Sequence, residues 1–185
     1  MGYADFLLGV PNTPRPTLNG AINSLQDASA LFVTGYTRSN MEQAERATDI
    51  AMRAFDFIVG EIMRHRDLHK ADGSYTNSAF EREMNVLMAN MVSPVTRLEH
   101  EAVRAAGPNN GCLPTSLRPP TAISVEKTLN KIKHRHPDFA NFRIQGDRHN
   151  FVICVDKVNG SGADSVVEFD VETFCDRCRK IAAAL

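Results

Sequence analysis

Cys175-Asp176-Arg177-Cys178 is the pair of side chains whose spacing points most directly to chemistry. Two thiols separated by two residues at the start of a helix can close a disulfide and exchange it. The helix N-terminus and nearby guanidinium groups, here Arg177 and Arg179, stabilise a thiolate. Cys112 and Cys154 supply neither a second such pair nor the spacing of a structural zinc site. The expectation is a reduced, cytoplasmic chain, with Cys175 and Cys178 as redox candidates.

Three further groups could act on a ligand. Glu61, His65 and His69 recur every four residues, which stacks them on one helical face as metal ligands require. Arg64, Arg66 and Lys70 lie alongside, however, so a solvated helix end is expected and no metal is assigned. Lys131, Lys133, Arg135, Arg143, Arg148 and His149 form a nucleic-acid-binding patch if the helix and hairpin that carry them share one side of a sheet. Residues 118–185 hold 11 Lys and Arg against 9 acids, whereas residues 1–117 hold 10 against 13, a polarity that permits such contact without requiring it. Met84, Met88 and Met91 share a face in a helical reading and are partner-binding candidates, because methionine adapts to irregular surfaces; core filling is the alternative. His100, between Glu99 and Glu101, reads as exposed. With no Gly-rich phosphate loop, Gly-x-Ser-x-Gly elbow or His-Glu-x-x-His helix, no catalytic residue or cofactor is assigned.

The elements that must position these residues divide at GPNNGCLPTSLRPPT, residues 107–121, where four prolines and two glycines interrupt every period. Before it the chain reads as helices. Ile22, Leu25, Ser29 and Phe32 lie at helical spacing ahead of Gly35. Ser39 and Glu42 make a capping box for a second helix, whose apolar face runs from Ala47 to Ile62. Ser78 and Glu81 open a third, with a stripe from Phe80 through Met91 to Val103 and a kink at Pro94. After the break, Ser124 caps a helix ending at Pro137; strands follow over 142–145, 150–157 and 165–170, joined at Gly146-Asp147 and across residues 159–162. Asp170 caps the last helix. The expected fold class is α+β: an N-terminal helical bundle over residues 1–106, a linker over 107–121, and a small α-β-β-β-α domain over 122–185 with a three-stranded antiparallel sheet.

The order helix, three strands, helix resembles the topology of the double-stranded RNA-binding domain, with Gly146-Asp147-Arg148-His149 ahead of the central strand and an alanine-rich final helix. That likeness implies RNA contact, although Glu172 and Thr173 stand where the family opens its last helix with a phosphate-gripping lysine pair. The string VVEFDVETFCDRCRKIA is similar to the active-site strand and helix of thioredoxin, with an extra residue before the first cysteine.

With 185 residues, net charge −1 and no apolar run of membrane-spanning length, the chain has the composition of a globular protein. Its N-terminus, MGYADFLLGVPNTPRP, lacks the basic start of a secretory signal, and Phe6 breaks the myristoylation pattern. The leading expectation is a non-enzymatic binding or assembly protein, a homo-oligomer or a protein partner's ligand through its helical half, with no membrane contact. RNA binding by residues 122–185 and thiol redox chemistry are the alternatives.

Overall fold

The computed structural model describes residues 17–115, 118–157 and 164–185; the N-terminal segment and the expected turn over 159–162 lie outside them. The described elements are α1 (Leu18–Thr37), α2 (Met41–Ala71), α3 (Ala79–Met84), β1 (Leu87–Val92), α4 (Arg97–Ala105), β2 (Thr121–Ser124), α5 (Val125–Lys133), β3 (Arg135–Gln145), β4 (Arg148–Val155), β5 (Ser165–Asp170) and α6 (Val171–Ala183). Each helix starts after a short polar side chain that accepts a hydrogen bond from a first-turn N–H: Thr17, Asn40, Ser78, Thr96, Ser124 and Asp170. The cap of α2 is therefore Asn40 and not Ser39, whose φ of 57° takes it out of the expected capping box.

The expected third helix is two helices with a strand between them. Asn85 closes α3 after six residues, and Leu87–Val92 becomes β1. Ala89 and Met91 face one side of the sheet and Val92 the other, a period of two that the methionine-rich run disguised as a helical stripe. Tertiary pairing decides the matter. β1 lies between β2, where Asn90 is opposite Ala122, and β5, where Asn90 is opposite Glu168. The sheet is antiparallel with order β2-β1-β5-β4-β3, five strands instead of three. Pro94 sits in the connection from β1 to α4 and kinks no helix.

Both faces of this sheet are covered. Ala89, Ile123, Ile153, Val155, Val167 and Phe169 pack beneath α1, α2, α3, α5 and α6, in one cluster with Ile22, Phe55, Ile58, Phe80, Leu129 and Phe174. Val92, Val152, Cys154 and Val166 face the other way, onto Val103 of α4 and onto Val95, Leu113 and Phe139. The consecutive valines of β5 thus enter different clusters, as strands buried on both faces must. Residues from both sides of the Pro/Gly-rich stretch share the larger core, so that stretch does not separate a bundle from a sheet. A polar staple spans it as well: Glu126 of α5 accepts hydrogen bonds from Arg66 and Lys70 of α2 and from the Tyr75 hydroxyl, whose pKa burial and that carboxylate push up to about 12.

The stretch itself begins as an edge cover. Gly107, at φ 77°, turns the chain out of α4, and the buried Asn141 amide donates to the carbonyls of Val103 and Gly107. Gly111 N–H donates to Phe142 O at 3.0 Å, and Asn109 Oδ1 accepts from Ile144 N–H, so residues 109–111 occupy the free edge of β3. The approach is too close for a side chain: a Cβ on Gly111 would stand 2.9 Å from Asn141 Cβ and 3.0 Å from the Phe142 backbone nitrogen. Gly111→Ala is expected to lower stability by about 1–3 kcal/mol in urea unfolding, the usual cost of forcing an extra carbon into a packed contact.

Candidate functional site

Helical spacing builds one wall of the main cleft twice over. Leu25, Ala28, Ser29 and Phe32 occupy positions i, i+3, i+4 and i+7 of α1, and Thr48, Ala51, Met52 and Phe55 repeat that pattern on α2. Alternate residues of the outer hairpin form the floor, with Ala140 and Phe142 from β3 and His149 and Phe151 from β4. Asn141 and Val171 complete a cleft of about 370 Å³. Alanines 28, 51 and 140 keep it open where bulkier residues would close it, and among the described residues no lysine, arginine, aspartate or glutamate lines it.

Its polar centre is a serine–histidine pair. Ser29 Oγ lies 2.9 Å from His149 Nδ1, across the junction of α1 and β4. The His149 ring stacks in parallel on Phe32, with centroids 4.9 Å apart and planes within 6°, and Phe142 meets Phe32 edge-on at 4.8 Å. Burial holds the His149 pKa down at about 4, well below the usual 6.5, against a weaker opposing pull from Asp170. At neutral pH the imidazole is uncharged, and so is the whole cleft lining.

A wider depression of about 530 Å³ on the outer side of α2 has a different character. Asp56, Arg64, Asp67 and Lys133 rim it, and three of these charges are engaged within the protein: Asp56 with Arg135, Arg64 with Glu61 and Asp67 with Arg66. The deeper, uncharged cleft is the better ligand site because a ligand there leaves more of its surface out of water and meets mainly apolar side chains.

The residues singled out from sequence fall in scattered places. Cys175 and Cys178 are both fully buried; burial raises the Cys175 pKa to about 12 and that of Cys178 well above its normal value, so neither thiol forms a thiolate at neutral pH. Arg179 favours the Cys175 thiolate, but desolvation outweighs it, and the Cys175 thiol donates to Ile22 O at 3.8 Å. This geometry opposes the redox reading. The basic residues are dispersed: Lys131 donates to Ser165 Oγ, Arg135 pairs with Asp56 on the depression that Lys133 also rims, Arg143 pairs with Glu168 on the sheet face opposite the cleft, and Arg148 is exposed on the hairpin. His149 belongs to the cleft, so the expected RNA-binding patch is not assembled. Met84 and Met91 are core residues and Met88 packs against that core, which makes the methionines filling instead of a partner groove. His100 is fully buried, contrary to expectation, with Nε2 3.2 Å from Ser165 O and Nδ1 3.5 Å from Asp156 Oδ1. Glu61 is held by Arg64 and His65, and among the described residues no group of three or more His, Cys, Asp or Glu is placed to hold a metal ion.

Sequence reasoning missed the cleft as a site, although one signal was present. Ser29 interrupts the apolar stripe of α1, and a polar side chain on a core-facing stripe needs a partner. That partner, His149, is 120 residues away in the chain. The exposed large apolar side chains are dispersed over α1, α2, β1, α4 and the C-terminus, which is ordinary for a protein surface. No helix among the described residues is long and apolar enough to cross a membrane.

Fold and site together define a mixed helix and sheet protein with an antiparallel sheet and an uncharged cleft between two helices and a hairpin. No protein-family model, curated protein or solved structure matches the chain.

Proposed function

We propose that this chain is a non-enzymatic binding protein whose cleft between α1, α2 and the β3–β4 hairpin takes an apolar ligand. The observation that carries this reading is the lining: aromatic and aliphatic side chains predominate around about 370 Å³, and among the described lining residues the one side chain-to-side chain hydrogen bond joins Ser29 to His149. The pair supports binding over acyl transfer. Ser29 lies in the middle of α1, whose backbone N–H groups are consumed by the helix, so no adjacent N–H pair faces a developing oxyanion.

The test uses a neutral, environment-sensitive dye, 6-propionyl-2-dimethylaminonaphthalene. Saturable one-site binding with a fluorescence rise is expected, and Ala51→Phe, which places a ring in the cleft from α2, is expected to weaken it at least about tenfold, or 1.4 kcal/mol. Thermal unfolding of the variant serves as the control for folding. Absence of saturable binding, or equal affinity in a folded Ala51→Phe variant, sinks the proposal.

A further inference from the structure

Resting on that binding reading, we infer that the ligand of the cleft is an uncharged molecule with an apolar body and one hydrogen-bond acceptor, received by His149 Nε2–H. Three observations lead there. First, none of the described lining side chains is a lysine, arginine, aspartate or glutamate, so an ionic ligand would be desolvated among them without an opposite charge. Such a ligand loses far more on leaving water than a neutral one of the same shape.

Second, the hydrogen-bond directions within the pair are determined by what Ser29 does not do. Hydroxyls in these helices commonly return to their own backbone: Thr48 donates to Ala44 O at 2.9 Å and Thr37 to Val33 O at 2.7 Å. Ser29 makes no such bond among the described residues and is paired instead with His149 Nδ1. Nδ1 is thus the one described acceptor for its hydroxyl proton, and the direction that satisfies both groups has Ser29 donating to Nδ1, with the imidazole proton on Nε2. No described residue accepts from Nε2–H, and the ring lines the cleft, so the donor is available to a ligand.

Third, the ring is held and kept neutral. The parallel stack on Phe32 and the bond from Ser29 orient it, and its buried position disfavours the imidazolium that an anionic ligand would call for. A donor preset in an uncharged, water-poor site discriminates strongly for an acceptor, because a ligand lacking one leaves the N–H without a partner.

The experiment is calorimetric titration at pH 7.5 with three probes of one shape: 2-naphthylmethanol, 2-methylnaphthalene and 2-naphthoate. The alcohol is expected to bind about fivefold more tightly than the hydrocarbon, the net worth of one hydrogen bond, and the carboxylate to bind weakest. His149→Phe, which keeps an aromatic ring beside Phe32, is expected to abolish the preference for the alcohol. Ser29→Ala removes the bond that sets the tautomer, and is expected to shrink that preference. If the carboxylate binds most tightly, or the alcohol holds no advantage, this inference fails while the binding reading stands. If none of the three binds, both fall.

Discussion

Phe174→Ala is expected to lower stability by about 3–5 kcal/mol, the range for truncating a buried aromatic ring, and to do so through one cooperative transition. Phe174 is fully buried where α6 meets α2 and β5, its ring centroid 5.2 Å from that of Phe55 and 5.5 Å from that of Phe169. Removing it opens a cavity bounded by residues from both sides of the Pro/Gly-rich stretch. The loss is a large part of the roughly 5–15 kcal/mol by which domains are stable, so the shift in urea midpoint is readily measured. Two probes report on it separately: far-ultraviolet circular dichroism, and the fluorescence of the three tyrosines, Tyr3, Tyr36 and Tyr75, which all precede the stretch in a chain with no tryptophan. Coincident midpoints that move together in the variant are the expected result. A tyrosine signal that stays at the parent midpoint would mean that residues before position 107 hold together independently of α6.

Acid is expected to weaken the protein through His149 before its carboxylates respond. The group has a folded pKa of about 4 against 6.5 for an unperturbed histidine, so between those values the unfolded chain binds the proton more readily. The stability contributed is complete above about pH 6.5 and is lost as the pH falls through about 4, amounting to about 3 kcal/mol in all and about 2 kcal/mol by pH 5. Glu61, Asp67, Asp72, Glu99 and Glu126, whose pKa values are lowered by hydrogen bonds and neighbouring charges, lose their contributions from the usual carboxylate range downwards, as the pH falls through their lowered folded values. Between pH 6.5 and 5 the carboxylates contribute little, and the share of the slope that belongs to His149 is the share its replacement removes. Urea unfolding across that interval should show a slope in the parent that His149→Phe removes; an equal slope in both would place the proton elsewhere.

The cleft makes plain why the site was harder to read than the elements around it. The stripes of α1 and α2 were visible as apolar positions, yet identical spacing serves a packed helix face and a cleft wall, and only the alanines at 28, 51 and 140 distinguish them once the walls oppose each other. His149 was noticed for its charge among basic neighbours, whereas its depth under α1 makes it neutral. The cysteines illustrate the same point from the other side. Their spacing and helical position allow a reactive thiol, but that position on α6 faces the core, and desolvation outweighs the nearby Arg179.

By itself the sequence determined what depends on a few adjacent residues: the caps at Ser78, Ser124 and Asp170, the run of α2, the strands β4 and β5, the last helix, and the break that opens at Gly107. These follow from local propensity, capping and period, which need no partner to be legible. Tertiary structure alone decided that residues 87–92 form a strand, because its hydrogen bonds go to residues 121–124 and 166–168, far away in the chain. It also decided that residues 109–111 cover the edge of β3, that Cys175 and Cys178 are buried, and that Ser29 meets His149. A side chain's type and spacing limit the chemistry it can perform; its partners and its distance from water, which set protonation and access, are fixed only when segments remote in sequence pack together.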